Sequence, residues 1–303
     1  MNARNQKGQA TVLSLVFLTV LLGMAALVLD IGSWYRADRD TQKTADAAAL
    51  AGAQALPDST ADAASLASGY ASKNGGGLDS VSFSSSAGPN DTITVSVKRA
   101  APGIFTKLFG VSSVTVGSKA SARTSLMSQA KYVAPIAVKN THPMLNNCGG
   151  PCFGPSNETT IPVDKTGAPG SFALVNLLNA PSGTSGASVL ADWIVHGFDG
   201  YLPVGGYFSD PGVKFNSNTI QDAITQRIGT EVLFPVYDTL TGGGSNAEYH
   251  VIGWVGFHID SVDKGGNDGH LIGYFTKVIW AGLPATSGGG PPNFGARSVQ
   301  LVD

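Results

Sequence analysis

From Ala10 to Leu29 the chain reads ATVLSLVFLTVLLGMAALVL, about twenty residues without a charge. Only Thr11, Ser14, Thr19 and Gly23 break its aliphatic content. A helix that stays apolar on every face for about 18 residues or more suits a bilayer better than a domain core, and the apolar region of a secretory signal usually stops at about 7 to 15. The run leads into Asp30-Ile31-Gly32-Ser33-Trp34-Tyr35. That exit lacks the small residues a signal peptidase needs, and its aromatic pair suits the headgroup belt. Small-residue patterns begin only at Ala45. Ala10 to Leu29 is therefore expected to remain as an anchor in the lipid bilayer.

Charge alone gives no orientation, because Arg4, Lys7 and the α-amine before the span nearly balance Arg36, Arg39 and Lys43 after it. The chain contains two cysteines, Cys148 and Cys152, both in the large remainder. Their presence favours an oxidising outer side. The expected topology is a single pass through the cell membrane, N-terminus cytoplasmic and bulk extracytoplasmic.

Charged residues make up 13% of the chain, against about 25% in ordinary domains, and there are 39 glycines. This composition predicts a β-rich body in the cell envelope. A net charge of −2 with no basic stripe leaves no surface for nucleic acid.

Arg36 to Leu56 (RADRDTQKTADAAALAGAQAL) is rich in helix formers and is followed by Pro57. A helix from Thr11 to Leu56 would be about 70 Å long, a span plus a stalk. Ala45, Ala49 and Ala53, with Ala48 and Gly52 beside them, line up small residues at four-residue spacing. Such a ridge lets another helix approach closely, either a partner's or one of its own domain. Ser59 caps a second predicted helix ending near Ser72. Val81 to Ser85 and Thr92 to Lys98 read as a hairpin around Ala87-Gly88-Pro89-Asn90-Asp91, GIFTKLF (103–109) as one or two helical turns, and Val111 to Arg123 as a third strand.

The polar stretch Ser125 to Lys131 reads as a domain boundary. Beyond it Tyr132 to Val138, Tyr249 to Ile259, Leu271 to Trp280 and Ala296 to Val302 read as strands. Gly186 to His196 and an Asn218-capped segment Thr219 to Ile228 read as two short helices, and Ala285 to Pro292 as a loop. The expected fold class is α+β: a transmembrane helix continuing into an Ala-rich stalk helix, a small helix/strand unit, and a mainly β extracytoplasmic domain. The corresponding domains are 1–35, 36–125 and 131–303.

Cys148 and Cys152 stand in CGGPC, where the intervening Gly149-Gly150-Pro151 can bring the Cα atoms within the roughly 4.4 to 6.8 Å that a disulfide requires. Half a zinc site is the rival reading, but His142 is the one nearby imidazole. His250 and His258 lie eight residues apart, about 27 Å along an extended strand, too far to share a metal or proton. Asp260, Asp263, Asn267 and Asp268 offer oxygen ligands to calcium, yet a polar hairpin tip explains them more simply. HExxH, G-x-S-x-G, P-loop and Rossmann patterns are absent from the sequence. No catalytic, cofactor-binding or metal-binding role is expected. Asp30 reads as an interfacial residue at the end of the span, and Asp46 either as solvated or as a partner of Lys43.

The series Lys7-Gly8-Gln9-Ala10, the apolar span, Leu29-Asp30-Ile31-Gly32, Gln42 and then ADAAALAGA (45–53) resembles the N-terminal module of TadE/TadG-like proteins of Tad-type (Flp) pilus assembly. Thr41 stands where that family usually carries an apolar residue. Gly197-Phe198-Asp199-Gly200, Pro211-Gly212 and Arg227-Ile228-Gly229 are similar to C-terminal regions of larger members. The resemblance implies a membrane-anchored component of pilus assembly or anchoring that works by protein–protein contacts with Tad assembly proteins or pilin, and a membrane-exit motif at Asp30 and Gly32. It also implies a possible prepilin-peptidase cut after Gly8, against which stands Leu13 at the position of the expected acidic residue. The alternative from another class is a membrane-tethered surface or carbohydrate-binding β-domain unrelated to pili.

Overall fold

A single helix, α1, runs unbroken from Gln6 to Ala53 (48 residues) in the computed structural model, which describes residues 6–163, 174–179, 185–210, 217–263, 269–285 and 291–302. Its apolar first half is long and apolar enough to cross a membrane and is left almost wholly exposed by the described residues. Its second half enters a folded unit. Two compact units form, one from residues up to Thr124 together with 300–302, the other Ser125–Val299. The fold class is α+β.

In the first unit α1 ends in a tight turn in which Gln54, Ala55 and Leu56 N–H groups reach the carbonyls three residues back. Pro57 has no N–H to continue the helix. Helix α2 (Thr60–Lys73) starts at Ser59, whose hydroxyl accepts the Asp62 N–H at 3.1 Å. Strands β1 (Leu78–Ser84), β2 (Thr92–Pro102) and β3 (Ser113–Ala130) follow, successive ones antiparallel. Period-2 alternation puts Ile93, Val95 and Val97 of β2 into the core, where they meet alanines of both helices.

The β1–β2 turn is organised by buried Asp91. Its carboxylate accepts the N–H groups of Ser86 (2.8 Å), Ala87 (2.6 Å) and Gly88 (2.8 Å) and the Thr92 hydroxyl (2.9 Å). Burial alone would raise its pKa; these four donors override that and hold it below the ordinary carboxylate value. The resulting stability is complete at neutral pH and is lost as pH falls from about 4 through the folded-state value. Asp91→Asn is expected to cost about 1–3 kcal/mol at pH 7. Urea unfolding should show the gap between wild type and variant closing below about pH 4.

The second unit is built on a long hairpin, β8 (Glu231–Thr241) and β9 (Glu248–Asp263), with Val236 opposite Gly253. β10 (His270–Thr276) pairs antiparallel with β9, β5 (Thr159–Pro162) with β10, and β7 (Gly205–Phe208) with the start of β9; β4 (Val138–Lys139) lies parallel to β8. Helices α3 (Ala187–His196) and α4 (Asn218–Thr225) contact one another and add Leu190, Trp193, Ile220 and Ile224 to a core that includes Phe234, Tyr249, Phe257 and Phe275. The short strands β6 (Leu202–Pro203) and β12 (Gly282–Pro284) pair with the end of β3, while β11 (Val278–Ile279) runs parallel to β13 (Ala296–Val302).

Three expectations are corrected. The division between the units does fall at the start of the polar stretch Ser125 to Lys131, at 124–125, but the stretch is not a linker: β3 continues to Ala130, because β6 and β12 supply hydrogen-bonding partners at residues 127–130 that override its low strand propensity. Tyr132 to Val138 is not a regular strand; Pro135 lacks an N–H, and the segment makes only isolated bridges at Val133 and Ile136 before β4. Ser217, not Asn218, caps α4, its hydroxyl accepting the Ile220 N–H. Residues 286–290 of the expected loop lie outside the described residues.

Candidate functional site

At the end of the apolar run one side chain departs from its expected role. Asp30 is fully enclosed by protein and not open to solvent. Its carboxylate accepts the Ile104 N–H (2.8 Å), the Phe105 N–H (3.2 and 3.0 Å to its two oxygens) and the Thr106 N–H (2.6 Å). These three donors begin the 3-10 turn Thr106–Phe109, whose first N–H groups have no partner within the turn itself. An acidic residue at the end of a span needs a partner, and the backbone of GIFTKLF provides it. The sequence signals were an Asp directly after an apolar run and the short GIFTKLF segment, which reads as one or two helical turns. Neither said that one would hold the other.

Gly32, the other residue of the exit motif, has open space around the position a Cβ would occupy. One turn further, Arg39 donates to the Tyr35 hydroxyl from Nε (3.0 Å) and Nη2 (2.8 Å).

The small-residue ridge is covered by the protein's own elements. Ala45, Ala48, Ala49 and Ala53 are buried, and α2 brings Ala63, Ala67 and Ala71, also buried, to the shared core. At Gly52 a Cβ would lie 2.6 Å from Ile93 Cδ1 and 2.9 Å from the Ala63 carbonyl oxygen, so only glycine fits. Of the two readings of the ridge, a partner's helix is excluded on this face, since α2 and β2 occupy it. Thr41, the departure from the family pattern, is buried with its hydroxyl donating to the Ala37 carbonyl at 2.7 Å. Asp46 does not pair with Lys43: it accepts from Gln42 Nε2 at 2.7 Å, while Lys43 pairs with Asp40 at 3.4 Å.

In the second unit Cys148 and Cys152 are disulfide-bonded, with Cα atoms 5.3 Å apart. Gly149 and Gly150 turn the chain at φ 73° and 150°. The rival zinc reading fails at His142, whose Nδ1 accepts the Met144 N–H and whose Nε2 meets the Thr160 carbonyl at 3.1 Å. The loop closed by the bond is short, so Cys148→Ser with Cys152→Ser is expected to cost about 2 kcal/mol or less, measurable by denaturant unfolding.

His250 and His258 do share β9, but each has its own carboxylate: Asp238 at 2.8 Å and Glu231 at 3.1 Å. Asp238 is drawn below the ordinary carboxylate range, burial opposing and the His250 hydrogen bond favouring the charge. His250 is the third residue of β9 and exposed, and His258 lies further along it and is half-buried. Asn267 and Asp268 of the calcium reading, and Pro211-Gly212, lie outside the described residues. Gly197-Phe198-Asp199-Gly200 is a clamp on the chain that enters this unit: the Tyr132 N–H donates to the Phe198 carbonyl (2.8 Å), the Phe198 N–H to the Val133 carbonyl (2.9 Å), and Lys131 Nζ sits 2.6 Å from Asp199. Arg227 is likewise structural, donating to the carbonyls of Val195 (2.9 Å) and Glu231 (2.6 Å). Among the described residues no cluster of His, Cys, Asp or Glu gathers as a metal site.

Residues 8–55 match a family described as putative Flp pilus-assembly TadE/G-like. The matched segment holds the apolar run, Asp30, Gly32 and the small-residue ridge, and the N-terminal module is thus similar to that family. No curated protein and no solved structure matches the chain.

Proposed function

We propose that the protein is a membrane-anchored component of Tad (Flp) pilus assembly or anchoring, acting through protein–protein contacts and not as a catalyst. The observation that carries this reading is the TadE/G-like match on residues 8–55, coinciding with a helix that leaves 10–29 uncovered and then enters a folded unit. Retention of the anchor is supported by the burial of Ala45 to Ala53, the first place with small residues suited to cleavage, inside the first unit. An extracytoplasmic bulk is supported by the Cys148–Cys152 bond, since disulfides persist in oxidising compartments. The partners are Tad assembly proteins or pilin.

The experiment is deletion of the gene in the producing organism, with surface pili counted and pilin followed in membranes. Loss of pili while pilin is still made, reversed by the full chain, supports the reading. Unchanged piliation overturns it.

A further inference from the structure

The turn that Asp30 holds is built in an unusual way for a loop in water. Leu108 and Phe109 are 83% and 84% exposed, and Ile104 and Val111 are exposed beside them. Lys107 carries the turn's one charge. Scattered exposed apolar residues need no explanation, but a contiguous cluster on a single short turn does. This cluster adjoins α1: Phe105, Leu108 and Phe109 form one wall of an apolar cleft whose other wall runs along α1 from Thr19 to Asp30. That wall is about 16 Å long at 1.5 Å per residue, and it belongs to the segment uncovered by the rest of the fold.

The backbone of the turn is also closed on itself. The Gly103 N–H donates to the Ser112 carbonyl, Leu108 to Phe105, Gly110 to Lys107 and Val111 to Thr106, while the N–H groups of 104–106 go to Asp30. Irregular backbone enters an apolar medium only where such groups have partners, because each one left without costs several kcal/mol. Seven of the turn's backbone N–H groups meet that condition, and its lysine has a stem long enough to keep its charge at the headgroups.

We propose that residues 103–111 are a second membrane-contacting element, a wedge that enters the same leaflet as the end of α1 with Leu108 and Phe109 in contact with acyl chains. The occupant is the bilayer because the exposed cluster is continuous with the apolar face of the span. The proposal rests on the reading of α1 as a membrane anchor. Asp30 then acts as the pin that sets the wedge's depth, and the first unit is held to the surface at two points, which fixes its tilt.

The test uses the full chain in phosphatidylethanolamine/phosphatidylglycerol vesicles with nitroxide labels at Leu108→Cys or Phe109→Cys, and at Leu21→Cys and Ser84→Cys as lipid and water references. The native cysteines are bonded and do not react. Collision of each label with oxygen, which concentrates in lipid, and with a water-soluble nickel chelate is measured by electron paramagnetic resonance. Labels at 108 and 109 should follow position 21, with an oxygen-to-nickel ratio several-fold above that at 84. Nickel access at 108 and 109 with position 21 in lipid overturns the wedge alone. Shielding from both reagents also overturns it, since protein and not lipid then covers the turn. Nickel access at position 21 overturns the anchor itself.

Discussion

Gly52→Val lowers the stability of the first unit by about 3 kcal/mol, the upper part of the range for overpacked cores. Ile93 Cδ1, 2.6 Å from a Cβ at position 52, is the tip of a side chain and can turn away. The Ala63 carbonyl at 2.9 Å is the backbone of α2, and the Ala67 Cβ at 3.2 Å closes the same gap. Relief therefore means moving α2 off α1, which opens the alanine seam along its length. For a unit of this size the thermal midpoint should fall by about 10 °C or more, followed by circular dichroism in detergent. Gly69→Ala in α2 is the control: open space surrounds it, and loss of glycine's backbone freedom should raise stability by about 0.5–1 kcal/mol. Ala49→Leu belongs with Gly52→Val, depleting the protein through its own core. An unchanged midpoint for Gly52→Val would show that the two helices separate freely.

Gly197→Ala is expected to unfold the second unit at temperatures where wild type is intact. Two penalties add. Gly197 has φ +76°, a conformation that costs a residue with a Cβ about 1–2 kcal/mol. Its Cβ would also stand 2.5 Å from Cα, C and O of Tyr132. Tyr132 cannot retreat, because its N–H is bound to Phe198, its neighbour Lys131 to Asp199, and the Lys131 carbonyl accepts Trp280 Nε1–H at 2.8 Å. Gly186→Ala separates the two penalties: it has φ +75° with open space around it, and so should lose only the conformational part. Trp193, edge-on to Phe198 at 5.4 Å, reports through its emission. Equal losses at 186 and 197 would mean the close approach carries no energy.

Much of the fold was legible because its signals are local. Unbroken aliphatic content marked α1, Ser59 marked the start of α2, and alternation in Thr92 to Lys98 marked β2. The small-residue ridge was legible as a packing surface, but spacing on one helix carries no information about what fills the facing groove, so α2 could not be separated from a partner. The partnership of Asp30 with residues 104–106 was invisible for the same reason: it joins positions 74 to 76 apart, and its donors are backbone groups that every sequence possesses. Polar residues in β3 and the proline in Tyr132 to Val138 misled in opposite directions, since pairing strands from distant sequence decided both.

The path of β13 has a consequence for how the molecule bears force. Residues 300–302 return to the first unit after the second is complete, so the second is an insertion in the first and is tied to it by two covalent connections, at 124–125 and 299–300. Tension applied to the inserted unit divides between two chain segments, each a continuous β-strand across the junction. A single proteolytic nick in either leaves the other as a tether. Trimming 300–302 would damage the unit that holds the helix and spare the inserted one.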